Sequence, residues 1–130
     1  MPDNKKELSI YRMERANQCL KSAYALVDTE DYKGAANRSY YAIFNAIRAV
    51  LALEGVDFKK HSAVTSYFRQ HYIKTGIFNI DLSDIVTEAF QIRQDSDYND
   101  YYVISKEEVT TQIKRAELFC AKISEYLNVQ

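Results

Sequence analysis

The stretch from residue 35 to residue 54 constrains the fold most, because it reads as one helix with two different faces. At about 100° per residue, its large apolar side chains gather on a stripe wide enough to face a core. This stripe comprises Ala36, Tyr40, Ile43, Phe44, Ile47, Val50 and Leu51. The opposite side carries small or polar residues: Arg38, Ala42, Asn45, Ala49 and Ala52, flanked by Tyr41 and Arg48. The pattern predicts a helix at the centre of a helical bundle.

The small residues of the second face allow another helix to approach closely, and this approach has two interpretations. In the first, the polar groups within the contact are structural ties between bundle helices. In the second, the face lines a ligand cleft or a subunit interface, and Arg38, Tyr41, Asn45 and Arg48 are the candidate contact residues.

Apolar residues recur at spacings of three and four along most of the chain, and the only proline is Pro2, so nothing after it forbids a helix. The pattern predicts an all-α antiparallel bundle of about five helices, forming a single domain of residues 1–130. The first helix is predicted at 5–28, and the second begins after the N-cap Asp31 and ends before Gly55. Ser62 is the predicted N-cap of the third helix, which ends near residues 74–76. Asp81 or Ser83 begins the fourth helix, and the capping box Ser105–Glu108 begins the fifth. The predicted inward residues are Ile10, Met13, Leu20, Tyr24 and Val27 in the first helix, Leu82, Ile85, Val86 and Ala89 in the fourth, and Val109, Ile113, Ala116, Cys120, Ile123 and Leu127 in the fifth.

The net charge of −1 argues against a general phosphate-gripping surface. The charges are unevenly distributed along the chain. The stretch from residue 58 to residue 80 contains four basic residues, both histidines and no acid, whereas residues 81–108 are mainly acidic.

No apolar run approaches the roughly 20 residues of a membrane span, and the first residues lack a signal-peptide core, so we expect a cytoplasmic protein that does not enter a membrane. Cys19 lies off the predicted apolar stripe of the first helix, and Cys120 lies on that of the fifth helix. Both cysteines are interpreted as free thiols. Neither has metal-ligand spacing, and we expect no metal and no cofactor.

Arg93 continues the core-facing stripe of the fourth helix, where an apolar residue would be expected. A buried guanidinium needs acceptors, and Asp97 lies one turn further on. We therefore favour an Arg93–Asp97 ion pair that ties the bundle together. The alternative is that Arg93 projects into a cleft with Tyr98 and binds a phosphate.

His61 follows two lysines and lies near the predicted start of the third helix. A histidine at a helix N-terminus can act as a general base or a phosphate ligand. At a loop–helix junction it more often serves packing or hydrogen bonding. The chain contains no glycine-rich phosphate loop, no serine–histidine–aspartate signature and no carboxylate pair at metal-binding spacing with histidine.

Four blocks in fixed order resemble the HEPN domain superfamily, and most of all its small stand-alone bacterial and archaeal branch. The blocks are Ala-Asn-Arg-Ser-Tyr-Tyr-Ala-Ile-Phe-Asn-Ala at 36–46, Phe-Lys-Lys-His-Ser at 58–62, Tyr-Ile-Lys-Thr-Gly at 72–76 and Arg-Gln-Asp-Ser-Asp-Tyr at 93–98. The resemblance covers nearly the whole chain. It implies an antiparallel helical bundle that forms a homodimer, and a toxin–antitoxin or nucleotide-binding module with a minimal nucleotidyltransferase as its partner.

The resemblance also implies metal-independent ribonuclease chemistry for many members, which place a histidine one to two turns after an arginine, paired across the dimer cleft. In this chain Tyr98 follows Arg93 at that interval, and Asn45 follows Arg38. A tyrosine with a pKa near 10 is a poor base at neutral pH, and an asparagine accepts no proton. We therefore expect a non-catalytic HEPN module that pairs with a nucleotidyltransferase or binds a nucleotide or RNA. The alternatives are a ribonuclease that uses Arg93 with His61 or Tyr98, and a purely structural interaction domain.

Overall fold

The computed structural model describes residues 4–130, and within them the chain is all-α. Its helices are α1 (Asn4–Asp28), α2 (Tyr32–Leu53), α3 (His61–Phe68), α4 (Ile80–Tyr98) and α5 (Lys106–Asn128), and α3 continues directly into a π-helical turn, Arg69–Ile73. The predicted all-α class is confirmed. Over residues 4–130, no helix is both long enough and apolar enough to cross a bilayer.

Helix α2 is the central element, since it packs against α1, α3, α4 and α5. Every residue of its predicted apolar stripe is buried. The predicted inward residues of α4 are buried as well, and those of α5 are buried except for Leu127, which is partly exposed. The helical period of 3.6 residues per turn therefore predicted the core-facing sides of α2, α4 and α5 correctly.

The small face of α2 is covered by α1 within the same chain. Ala42, Ala49 and Ala52 are all buried, and the Ser9 hydroxyl of α1 donates a hydrogen bond of 2.7 Å to the carbonyl of Ala49. The thiol of Cys120 lies 3.7 Å from the carbonyl of Ala42. These alanines therefore allow close packing inside the bundle and offer no surface to a second subunit.

The predicted inward stripe of α1 was correct at Met13 and Val27, which are buried, and in part at Leu20, but it was wrong at Ile10 and Tyr24. The buried residues of α1 are Ser9, Met13, Ala16, Cys19, Ala23 and Val27. Ile10 and Tyr24 are instead 51% and 37% exposed, and Cys19, predicted to lie off the stripe, is buried. The physical reason is the alanine face of α2: a close helix–helix approach favours the side of α1 with the smallest side chains over its most hydrophobic side.

Two predicted N-caps are confirmed. Asp31 accepts a hydrogen bond of 2.9 Å from the backbone N–H of Gly34, and Ser105 accepts one of 3.0 Å from that of Glu108. Gly55 follows α2 with φ 71°, in the left-handed region that glycine tolerates and the prediction required.

The other two predicted N-caps were displaced. Helix α3 begins at His61 with Lys60 as its N-cap residue, and no side chain among the described residues caps its first turn, so Ser62 lies inside the helix. Helix α4 begins at Ile80, and its cap is Asn79, whose side chain accepts from the backbone N–H of Asp81. Asn is as good a cap as Asp or Ser, so residue type alone could not choose among neighbouring candidates.

We expect Ser105→Ala to lower the free energy of unfolding by about 1 kcal/mol, because it leaves a helix N–H group of α5 without its acceptor. Ser62→Ala is the matched control and should change stability by less than about 0.5 kcal/mol, since Ser62 caps nothing. Urea unfolding of the two variants and the parent measures both. Equal effects of the two substitutions would contradict the observed helix starts.

Candidate functional site

One side of α2 presents a layer of aromatic rings formed by Tyr40, Tyr41 and Phe44. The Tyr40 and Tyr41 rings meet edge to face with their centroids 5.2 Å apart, and Tyr41 meets Phe44 in the same manner at 6.4 Å. Tyr40 and Phe44 are almost completely buried, at 4% and 6% exposure. We refer to these three residues as the aromatic layer, and side chains from two other helices cover it.

Arg93 reaches the aromatic layer from α4. Its guanidinium carbon lies 4.9 Å from the centre of the Tyr40 ring and 5.4 Å from that of Tyr41, within the range of cation–π attraction. Its Nη2 donates a long hydrogen bond of 3.4 Å to the Tyr41 hydroxyl. Its Nε lies 3.5 Å from a carboxylate oxygen of Asp97 but is not aligned for a hydrogen bond, so the two side chains form an ion pair only.

His61, the first residue of α3, is stacked on the aromatic layer beside Arg93. Its ring centroid lies 4.0 Å from that of Phe44 at an interplanar angle of 29°, and it meets Tyr41 edge to face at 5.9 Å. The Nδ1 atom lies 3.2 Å from the Tyr40 hydroxyl. Which of these two atoms donates depends on the tautomer of the imidazole.

Arg48 extends the same row along α2, with its guanidinium carbon 5.9 Å from the centre of the Phe44 ring. Its Nη2 donates to a carboxylate oxygen of Asp57 at 2.8 Å, and the same oxygen accepts from Arg12 of α1 at 3.1 Å. One carboxylate thus holds two guanidinium groups in place. Arg93, His61 and Arg48 therefore lie in a row over the aromatic layer.

A cleft of about 330 Å³ opens beside this row. It is lined by Phe44, Arg48, Asp57, Phe58, Lys59 and His61, and we call it the His61 cleft. The uncapped first turn of α3 starts at its edge, so backbone N–H groups add to the positive character of the cleft. A larger surface cavity of about 490 Å³ lies between α4 and α5, but its lining includes Glu88, Glu107 and Glu108, which would repel an anion.

The surroundings of His61 favour its neutral form. Burial is the main cause of its lowered pKa, and the positive charges of Arg93 and Arg48 lower it further. Burial raises the pKa of the Tyr40 hydroxyl above 10, although Arg93 opposes this shift, so the hydroxyl is protonated at neutral pH. At Asp57, burial alone would raise the pKa, but the hydrogen bonds from Arg48 and the Phe58 N–H, with the charges of both arginines, lower it overall.

Among residues 4–130, no group of three or more histidine, cysteine or carboxylate side chains is placed to hold a metal ion. The side chains that line the cleft supply the guanidinium group of Arg48, the ammonium group of Lys59, the imidazole of His61 and the carboxylate of Asp57, and the first turn of α3 adds backbone N–H donors. The donors in this set match the oxygens of a phosphate group.

Comparison with known proteins agrees with the all-α fold. The family model described as HEPN domain matches residues 10–126. The chain belongs to the HEPN family. A UPF0332 protein from Thermotoga maritima is 35% identical over 95% of this chain and 95% of its own length. A Methanocaldococcus jannaschii protein named "Putative toxin MJ0142" is 32% identical over 88% of this chain and 78% of its own length.

In this HEPN chain, several predicted site residues meet in one place. Arg93 forms the predicted pair with Asp97, and it also lies against the aromatic layer. The alternative, that Arg93 binds a phosphate in a cleft with Tyr98, stays a prediction. His61 and Arg48 line the cleft, and Tyr41 contributes a ring to the layer.

The remaining predicted site residues lie apart from the cleft. Asn45 donates to the carbonyl of Tyr41 at 2.8 Å and lies 4.0 Å from the thiol of Cys19, so it acts as a tie between α2 and α1. Arg38 lies at the edge of the layer, 5.2 Å from the centre of the Tyr41 ring. Tyr98 is 74% exposed at the end of α4 and takes no part in the ring contacts found within residues 4–130.

Sequence reasoning missed four contributors to the site. Tyr40 and Phe44 were assigned to the core alone, although their spacing with Tyr41 and Arg48 places all four along one side of α2. Arg12 and Asp57 gave no signal, because they are 45 residues apart in sequence and meet only through the fold.

We expect the His61 imidazole to titrate below pH 6.5, and we expect Arg93→Met to raise its pKa because the substitution removes a neighbouring positive charge. The pKa in the variant should remain below 6.5, since burial is the larger cause. Titration followed by NMR of the imidazole protons measures both values. Arg15→Met, at an exposed position of α1, is the control and should leave the His61 pKa in place. An unchanged pKa in Arg93→Met would contradict the assigned cause.

The lowered pKa of His61 makes the folded protein less stable at acidic pH than at neutral pH. The unfolded chain binds a proton at His61 more readily than the folded chain does, so its contribution to stability is complete above about pH 6.5. That contribution is lost as the pH falls through the folded-state pKa of His61. His61→Gln should therefore lose less stability than the parent protein between neutral and mildly acidic pH.

Proposed function

We propose that this HEPN protein is a toxin-like module that binds the phosphate groups of a nucleotide or RNA in the His61 cleft. The observation that carries the proposal is the row of Arg93, His61 and Arg48 over the aromatic layer, next to the uncapped start of α3. Each group can donate hydrogen bonds to phosphate oxygens, and the first turn of α3 adds aligned N–H groups.

The charges of the cleft support an anionic ligand. Asp57 faces two guanidinium groups, those of Arg12 and Arg48, and exposed Lys59 and Lys60 precede α3. Positive charge is therefore in excess at this end of the molecule. The Asp57 side chain is 46% exposed, so its ion pairs contribute little to stability and Arg48 can exchange this partner for a phosphate at small cost.

The toxin-like part of the proposal comes from the relatives. The chain is 32% and 30% identical to two Methanocaldococcus jannaschii proteins whose names carry the word toxin. Together with the HEPN membership, this supports a role in a toxin–antitoxin-like system. We propose a minimal nucleotidyltransferase as the partner protein.

We also propose a homodimer, with a contact that differs from the alanine face first considered. The exposed apolar side chains near the α4–α5 connection are the better candidates, because Tyr98, Tyr101 and Val103 are 74%, 95% and 84% exposed. A symmetric dimer would bury such a patch twice.

Inorganic phosphate and a short single-stranded RNA should both shift the backbone amide NMR signals of residues 59–62. Arg48→Gln and Arg93→Gln should each weaken RNA binding roughly tenfold, the loss expected for one charge-assisted hydrogen bond. Affinity should also fall as salt rises, because binding releases counterions from the RNA.

Arg15→Gln removes an exposed positive charge on α1 and serves as the control, so it should bind RNA with an affinity close to that of the parent protein. The proposal fails if neither phosphate nor RNA perturbs residues 59–62. It also fails if Arg15→Gln weakens binding as much as Arg48→Gln and Arg93→Gln do, since the attraction would then be a property of overall charge.

A second candidate function, a metal-independent ribonuclease, is favoured by one observation: His61 of α3 and Arg93 of α4 both lie against the Tyr40 ring. If Nδ1 of His61 donates to Tyr40, Nε2 is free to accept a proton from a 2′-hydroxyl. If Tyr40 donates to Nδ1 instead, Nε2 carries a proton and can only bind a phosphate. We favour binding because the lowered pKa of His61 makes the imidazole a weaker base.

We therefore expect the purified protein to leave a labelled single-stranded RNA intact in EDTA at neutral pH. General acid–base catalysis contributes about 10²–10⁴-fold, so a functioning site would give a cleavage signal well above background. Cleavage that is abolished in both His61→Gln and Arg93→Gln but retained in His71→Gln would replace the binding function with the ribonuclease. Cleavage retained in all three variants would indicate a contaminating enzyme.

A further inference from the structure

A second cavity, of about 250 Å³, lies between α3 and α4 on the other side of His61. Its polar lining consists mainly of hydroxyl groups, and we call it the hydroxyl pocket. Its polar residues are His61, Ser62, Thr65, Ser66, Arg69 and Thr87. Tyr40, Val86 and Phe90 supply the apolar part of the wall. No carboxylate lines this pocket, in contrast to the His61 cleft with Asp57.

Arg69 is held in this pocket by α4. Its Nε donates to the Ser83 hydroxyl at 2.9 Å, and its Nη2 donates to the Thr87 hydroxyl at 2.6 Å and to the Ser83 carbonyl at 3.3 Å. The third nitrogen, Nη1, makes none of these bonds and keeps two donors for a ligand. Arg69 is also the first residue of the π-helical turn, a local distortion that is frequent at functional sites.

The two cavities share His61, and together they offer more room than either one alone. Pockets that enclose complete small ligands measure about 300–1,000 Å³. The hydroxyl pocket, at about 250 Å³, is below this range, and the His61 cleft, at about 330 Å³, is at its lower end. A ligand that fills both must have two chemically different parts. The charged cleft suits a phosphate. The hydroxyl pocket suits a flat, mostly apolar group with a few hydrogen-bonding atoms.

We propose that the hydroxyl pocket binds the nucleoside part of a nucleotide whose phosphate lies in the His61 cleft. This inference rests on the proposed phosphate-binding function and adds the identity of the ligand: a nucleoside phosphate that spans His61. The hydroxyls of Ser62, Thr65 and Ser66 face the hydrogen-bonding groups of the ribose and base. The free Nη1 donors of Arg69 suit a base edge that carries acceptors, such as O6 and N7 of guanine.

The test compares GMP with inorganic phosphate by NMR titration of the protein. Phosphate should shift amide signals at residues 59–62, and GMP should shift these and also the signals of Thr65 and Thr87. Thr65→Leu fills part of the hydroxyl pocket with apolar bulk on a partly exposed helix position. It should weaken GMP binding about tenfold or more and leave phosphate binding unchanged.

Two further variants test whether the effect of Thr65→Leu arises in the hydroxyl pocket. Thr111→Leu makes the same change at an exposed position of α5 and should leave GMP binding unaltered. Ser66→Leu narrows the pocket from an exposed position and should reproduce the Thr65→Leu effect. Retained phosphate binding shows in each case that the variant is folded.

The possible failures are distinguishable. If phosphate shifts residues 59–62 but Thr65→Leu and Ser66→Leu bind GMP like the parent, the nucleoside pocket is wrong and the proposed function stands. Tighter binding of pyrophosphate than of GMP would also overturn the inference, because the pocket would then be a second phosphate site. If neither phosphate nor GMP produces shifts, the inference and the proposed function fall together.

Discussion

The close packing of α1 on the alanine face of α2 is the constraint on which the rest of the structure depends. Small side chains on both helices, with the Ser9–Ala49 hydrogen bond between them, let α1 pack closely against one side of α2. The remaining surface of α2 is then available to α3, α4 and α5. Helix α2 thus becomes the element that three others share, and functional side chains from different parts of the chain converge on it.

The chemistry of the site follows from this convergence. His61 comes from α3, Arg93 from α4, and the aromatic layer with Arg48 from α2. The pKa of His61 is lowered because burial on the aromatic surface, and then the positive charges of Arg93 and Arg48, disfavour the protonated imidazole. The Tyr40 hydroxyl can donate to Nδ1 of the neutral imidazole or accept from it, and the tautomer determines whether Nε2 donates or accepts a proton.

Membership in the HEPN family and the local geometry bear on different questions. The family match covers residues 10–126 and agrees with the helical bundle, whereas fold membership alone does not assign a function. The histidine expected one to two turns after an arginine is absent from this chain, yet His61, from another helix, lies with Arg93 against the Tyr40 ring. Catalytic and binding groups are defined by where their atoms lie, so the spatial arrangement matters more than the spacing in sequence.

The sequence by itself determined the features that depend on neighbouring residues. The buried side of α2, the Asp31 and Ser105 caps and the Arg93–Asp97 pair all follow from helix geometry within a few residues. Only the tertiary structure decided which side of α1 faces the core, because that choice depends on the small residues of α2. The stacking of His61 on Phe44 and the bridge from Arg12 through Asp57 to Arg48 join parts of the chain that are 17, 45 and 9 residues apart. The paths of the loops and the packing of the helices determine contacts of this kind. A local sequence pattern specifies neither of them.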